Sequence, residues 1–129
     1  MRYVIDSYAW LEYFMGTNAG EKIKSIIEGF DEKFTPSICI AEVYAKTLKV
    51  EGRGIAEEQL NFIKEHSAIV PLDEKIAVEA AKIDVDMKKK IKGWGLADSI
   101  VYATGRIKGA LILTGDKHFM DLDGVVFIK

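Results

Sequence analysis

The spacing of hydrophobic and polar positions changes several times along this chain, and each change marks an element. Arg2 to Ile5 is a compact β-type run that stops at Asp6, and Tyr8 to Met15 then follows helical spacing up to Gly16. Asn18 to Gly29 reads as a second helix, with Ile23, Ile26 and Ile27 on its inner face. Phe34-Thr35 is a brief strand before Pro36, and a helix from Ile38 to about Val50 follows, with Ser37 as its cap. The apolar stripe of that helix is read through Ile38, Ala41, Ala45 and Leu48, with Glu42 on it. Gly54 to His66 supplies another amphipathic helix, and Ala68 to Leu72 the next strand. Asp73 caps a long helix to about Lys90, with Ile76, Ala80 and Ile83 facing inward. Leu96 to Lys108 is apolar on nearly every face, which predicts a largely buried helix ended by Gly109. The wholly apolar Ala110-Leu111-Ile112-Leu113 then suits a strand covered on both faces, and Val125 to Ile128 closes the pattern.

Strands separated by helices throughout predict an α/β layered fold with a mainly parallel sheet. The length of 129 residues suits one domain over residues 1–129, without repeat or linker. No segment approaches a membrane span, and the single Cys39 excludes an intrachain disulfide, as fits a reduced cytoplasm. Cys39 itself reads as a small core residue. A formal charge of −2 does not mark a general nucleic-acid binder, so any such partner needs a local basic patch.

Four acids fall at structurally loaded places: Asp6 and Asp116 just past strands, Asp98 at a helix start, and Glu42 within an apolar helix face. Asp6, Asp98 and Asp116 each have a purely structural reading as helix caps or first-turn acids. Glu42 does not, because a carboxylate among core positions needs a partner. In open parallel sheets ligands gather at the carboxyl ends of strands, where Asp6 and Asp116 stand. If all four share one crevice, each pair at ~4 Å repels by about 4 kcal/mol at a surface-like dielectric. A divalent cation relieves that repulsion, and oxygen-only ligands select a hard ion, Mg²⁺ or Mn²⁺. Thr114 can add a hydroxyl to the same pocket, whereas His66 and His118 are too few and too scattered for a zinc site.

Tyr3-Val4-Ile5-Asp6-Ser7, Ile40-Ala41-Glu42-Val43, Leu96-Ala97-Asp98-Ser99-Ile100 and Leu113-Thr114-Gly115-Asp116-Lys117-His118-Phe119 together resemble the PIN domain family, in its order and spacing. Within it the chain resembles the VapC-type toxins of prokaryotic toxin–antitoxin pairs. The resemblance implies a Rossmann-like three-layer sandwich around a four- to five-stranded mainly parallel sheet. It also implies Mg²⁺- or Mn²⁺-dependent endoribonuclease activity, a homodimer and a small inhibitory antitoxin. By position, Asp6, Glu42, Asp98 and Asp116 would be the catalytic and metal-binding quartet, with Ser7 and Thr114 as supporting hydroxyls. Tyr8 departs from the small polar residue that many members carry there.

Candidates for contact with RNA are Lys89 and Lys92, Trp94 as a stacking ring, and Lys117 beside Asp116. The plainer alternative makes the lysines helix C-terminal charges and Trp94 a core plug. A receiver domain would want an acidic pair after the first strand, and a haloacid dehalogenase-type phosphatase a second acid where Tyr8 stands. The remaining rival is a catalytically inactive domain of the same fold that binds RNA or protein.

Overall fold

The computed structural model describes residues 1–129. Five strands form one sheet: β1 (Arg2–Ile5), β2 (Glu32–Pro36), β3 (Ala68–Val70), β4 (Leu111–Thr114) and β5 (Val125–Phe127). All pair in parallel, in the order β3-β2-β1-β4-β5. Six helices connect them: α1 (Ser7–Met15), α2 (Asn18–Glu28), α3 (Ser37–Glu51), α4 (Arg53–His66), α5 (Glu74–Lys90) and α6 (Leu96–Lys108).

The alternation of strand side chains builds the three layers. Val4 and Ile112 point into a core shared with Ile76, Ala80 and Ile83 of α5 and Ile100, Val101 and Ala103 of α6. Tyr3, Ile5 and Leu113, on the opposite face, pack with Trp10 of α1, Ile23 and Ile27 of α2, Val43 of α3 and Ile63 of α4. The central strands β1 and β4 are thus buried on both sides, which is why β4 carries no alternation of its own. The chain leaves β1 through helices of one layer to reach β2, and returns through α5 and α6 of the other layer to β4, on β1's opposite edge. The point between β1 and β4 where the order reverses is where such folds open a crevice at the strands' carboxyl ends.

The α1–α2 corner depends on a close approach. Gly16 ends α1 in the left-handed conformation (φ 66°), and Thr17 caps α2 by accepting from the Gly20 N–H. A Cβ on Gly20 would stand 2.9 Å from the Tyr13 Cα and collide with the Glu12 backbone. Backbone cannot step aside as a side chain can, so Gly20→Ala is expected to cost about 1–3 kcal/mol. An unchanged urea midpoint would show that the corner has slack.

Several expected boundaries shift. The strand expected at Phe34-Thr35 extends over Glu32–Pro36, while Pro71 and Leu72 lie outside β3 and Ala110 precedes β4. Helix α3 begins at Ser37, which therefore does not cap it; Pro36 occupies the cap position with no side-chain bond. The larger correction is the face of α3. Its buried positions are Cys39, Val43 and Thr47, whereas Ala41, Ala45 and Glu42 are exposed and Leu48 is 46 % exposed. Alanines are neutral markers of a helix face, and reading them as the stripe rotated the helix away from its true contact.

Candidate active site

Each of the four acids is placed by an ordinary local rule. Asp6 follows β1 and caps α1, its Oδ1 accepting from the Ser7 N–H at 2.7 Å. Asp98 sits in the first turn of α6, where its Oδ2 accepts from the Gly95 N–H at 3.0 Å. Asp116 caps a short 3-10 turn over Lys117–Phe119, accepting from the His118 N–H at 2.9 Å. Glu42 projects from α3. The structural readings of three acids therefore hold, and they do not compete with a site: a capping bond uses one lone pair and leaves the carboxylate further acceptor sites. All four carboxylates line one cleft of about 130 Å³, with Ser7, Tyr8, Leu11, Ala97 and Val101 as its other walls. The cleft opens where the sheet order reverses.

Asp6 is the anchor. It is 6 % exposed, and its second oxygen accepts from the Thr114 hydroxyl at 2.7 Å. Thr114, fully buried at the end of β4, also accepts from the Asp116 N–H at 3.0 Å, so one hydroxyl ties two of the acids together. Burial raises the Asp6 carboxyl to about 6 against the opposing pull of the Thr114 and Ser7 bonds, with Glu42 and Asp116 adding repulsion. Glu42 and Asp98 are raised as well, first by partial burial and then by neighbouring carboxylates; the Ser7 hydroxyl opposes this at Glu42, the Gly95 N–H and His118 at Asp98. Glu42 is exposed as a residue, contrary to the expectation of a buried acid, yet its carboxylate end lines the cleft and loses water there. The local desolvation governs its titration.

The donor atoms fall into two neighbouring groups, Asp6–Cys39–Glu42 and Asp98–Asp116–His118, within each of which they lie inside 4.8 Å of one another. Cys39 reaches Asp6 Oδ1 at 3.6 Å, but burial and the adjacent carboxylates push its thiol well up, so it stays protonated and is a poor ligand. What remains is an oxygen-rich set whose negative charge is raised in energy by burial and mutual repulsion. That fits a hard divalent cation.

Sequence reasoning undervalued His118. Its Nδ1 lies 3.2 Å from Asp98 Oδ2 and 3.5 Å from Asp116 Oδ1, joining two acids that are distant in the chain. Only its place beside Asp116 hinted at this. Trp94 requires the opposite correction. It is 3 % exposed, packs against Tyr102 and Phe119, and donates from Nε1 to the Ser99 hydroxyl at 2.7 Å, so it has no free face for a base. Ser99 in turn donates to Asp84, which pairs with Lys88 at 2.7 Å. This chain of contacts fastens the end of α5 to the start of α6 and so fixes where Asp98 begins. Lys89, Lys92 and Lys117 are exposed. A larger cavity of about 370 Å³ at the amino end of β4, lined by Tyr102, Arg106, Leu111 and Asp123 among others, has no such convergence of acids.

Fold and site together define an α/β protein with a parallel sheet and an acidic cleft at its switch point. The model of the PIN domain family matches residues 3–125, and the chain belongs to that family. A VapC ribonuclease of Pyrococcus furiosus is 32% identical over 97 residues, covering 74% of this chain and 65% of that relative. The match thus spans just under two thirds of the relative's length. A chain of a toxin–antitoxin complex from Klebsiella pneumoniae superposes with a TM-score of 0.79 at 18% identity, covering 98% of both chains. VapC20 of Mycobacterium tuberculosis, a sarcin–ricin-loop-cleaving toxin, gives 0.78 at 13% identity, covering 95% of this chain and 96% of that one. At these identities the structural likeness speaks for the fold. The five-stranded parallel sheet agrees with the fold that the sequence led us to expect. No helix is long and apolar enough to cross a membrane.

Proposed function

We propose that this protein is a Mg²⁺- or Mn²⁺-dependent endoribonuclease, the toxin of a VapBC-type pair, acting in the cytoplasm as a homodimer restrained by a small antitoxin. The observation that carries the reading is the convergence of Asp6, Glu42, Asp98 and Asp116 on one cleft. The VapC relative and the toxin–antitoxin complex among its structural neighbours support the toxin assignment. Asp6 and Asp98 would hold the cation, with Glu42 and Asp116 bound directly or through water. When bound, such an ion supplies Lewis-acid polarisation of the phosphoryl oxygens and a more acidic water.

The residues' own work is positional. Thr114 and the Ser7 N–H fix both oxygens of Asp6, and the Gly95 N–H fixes one oxygen of Asp98, so the acids are held before any ligand arrives. Water adds to phosphorus as the P–O ester bond breaks; the water oxygen stays on the phosphomonoester of one fragment, and a proton from the water ends on the leaving oxygen, now a hydroxyl on the other. His118, between Asp98 and Asp116, is placed to hold or pass a proton at Nδ1. Lys89, Lys92 and Lys117, all exposed, remain candidates for phosphate contact.

Incubating total RNA with the protein and Mn²⁺, Mg²⁺ or EDTA tests the reading. Cleavage is expected with either ion and none with the chelator. RNA that is bound but left whole under all three conditions would favour the inactive binding domain instead.

A further inference from the structure

A second groove, of about 200 Å³, continues from the acidic cleft, and its chemistry differs from that of its neighbour. Tyr8 and Leu11 line both. From them the groove runs along Glu12 and Met15 of α1, with Lys46 of α3 and Lys129 on its other sides. The spacing explains the continuity. Tyr8, Leu11, Glu12 and Met15 recur at three- and four-residue intervals on one face of α1, and Lys46 stands one turn beyond Glu42 on α3. The faces of α1 and α3 that border the carboxylates therefore also line the groove, over about 10 Å of α1, the rise of seven helical residues.

The lining is suited to a nucleotide. The Tyr8 ring is half-buried and packs over Gly115, where an added Cβ would come within 2.6 Å of its Cε1. The Lys129 ammonium lies over that ring, 5.0 Å from its centroid, so a base stacking there takes the place the flexible lysine now holds. Lys46 and Lys129 are exposed, and neither forms an ion pair with a carboxylate. Two lysines face one acid, Glu12, among the groove's lining side chains, whereas every charged side chain lining the cleft is acidic. Met15 adds an exposed, polarisable apolar surface at the far end.

The geometry points to this groove as the subsite for the nucleotide next to the scissile phosphate of a single-stranded RNA, with Tyr8 stacking on its base and Lys46 and Lys129 meeting its flanking phosphates. The assignment rests on the ribonuclease reading above and adds the path by which the strand leaves the cleft. It also gives a role to Tyr8, which lines both the cleft and the groove. Aromatic stacking tolerates every base because each has a π-face, and lysines meet phosphate as point charges.

The test is steady-state cleavage of a random-sequence single-stranded RNA pool in Mn²⁺ at several salt concentrations. The proteins compared are wild type, the Lys46→Ala/Lys129→Ala double variant, Tyr8→Ala and Tyr8→Trp. Both lysines are surface residues, so the double variant should melt as wild type does. Its KM is expected to rise about tenfold with kcat within about twofold, and the log–log salt dependence of kcat/KM to flatten by about 1.4, the share of two phosphate contacts on a single strand. Tyr8→Ala should raise KM at least about fivefold and Tyr8→Trp should restore it, which a merely structural ring would not do. If wild type cleaves the pool while the lysine variant keeps its KM and salt slope, the subsite is wrong and the ribonuclease reading stands. If wild type neither binds nor cleaves the pool, the ribonuclease reading fails and takes the subsite with it. If the lysine variant instead loses only its affinity for a protein partner, the groove belongs to that partner.

Discussion

Asp6→Asn is expected to lower RNA cleavage by about 10³-fold and, in the same protein stripped of divalent ions, to raise stability above about pH 6. The first effect follows from removing one of the two carboxylates proposed to hold the cation. A loss of about 4 kcal/mol of transition-state charge stabilisation corresponds to about three decades in rate. The second effect comes from burial. A carboxyl raised from 3.8 to about 6 keeps its proton in the folded chain while the unfolded chain sheds it. Between those values the folded state binds more protons, so stability falls as pH rises through this window, and above about 6 the loss is complete. About two decades of proton affinity, at about 1.4 kcal/mol each, set the penalty near 3 kcal/mol.

Asparagine carries no charge and escapes that penalty, but it replaces one acceptor by a donor facing the Thr114 hydroxyl, giving back about 1 kcal/mol. The net expectation is a gain of about 1–2 kcal/mol at pH 8 in EDTA, and none, or a slight loss, at pH 4. Urea unfolding at the two pH values measures this. Glu42 and Asp98 are raised in the same direction, so both proteins should weaken toward high pH, the variant less. A variant no more stable than wild type at pH 8 would mean that the Asp6 carboxylate is not held under strain. Such a trade of stability for a charged cleft is what a metal-dependent centre implies.

Thr114→Val should damage fold and activity together. Valine matches the shape, but the buried Asp6 Oδ2 loses its 2.7 Å donor and the Asp116 N–H its 3.0 Å acceptor. Leaving such groups unpartnered costs about 2–3 kcal/mol, and removing support from two proposed ligands is expected to lower cleavage about 10- to 100-fold. Thr114→Ser keeps the hydroxyl and should recover most of the activity. Measuring kcat and the urea midpoint for both variants separates the bond from the methyl group; a fully active valine variant would show that Thr114 is only a turn residue.

Much of this was legible in the chain because strong local signals coincide with the fold. Asp6 and Asp116 stand immediately past apolar runs, and a parallel sheet must present such positions at one edge. Asp98 opens a helix whose apolar faces leave little freedom in how it lies. Glu42 was recognised as a site residue for a reason that does not hold: it lies at the rim of the cleft, not within the core face of α3. Trp94 left two readings open, a stacking ring or a core plug, and the second holds because a hydroxyl five residues later satisfies its indole and lets it turn inward. His118 could not be placed by spacing, since its partner Asp98 is twenty residues away and they meet only where the start of α6 faces the carboxyl end of β4. Local periodicity speaks for one element at a time, whereas these three depend on how elements meet.

The central claim is that the four carboxylates hold a divalent cation, and Mn²⁺ titration followed by thermal unfolding tests it most directly. At a hundred times its dissociation constant the ion should stabilise wild type by about 2.7 kcal/mol, roughly 8–10 °C in melting temperature for a chain of this size. The shift between EDTA and Mn²⁺ should vanish in Asp6→Asn and in Asp98→Asn. A wild-type protein whose melting temperature ignores Mn²⁺, or variants that shift as much as wild type does, would contradict the account.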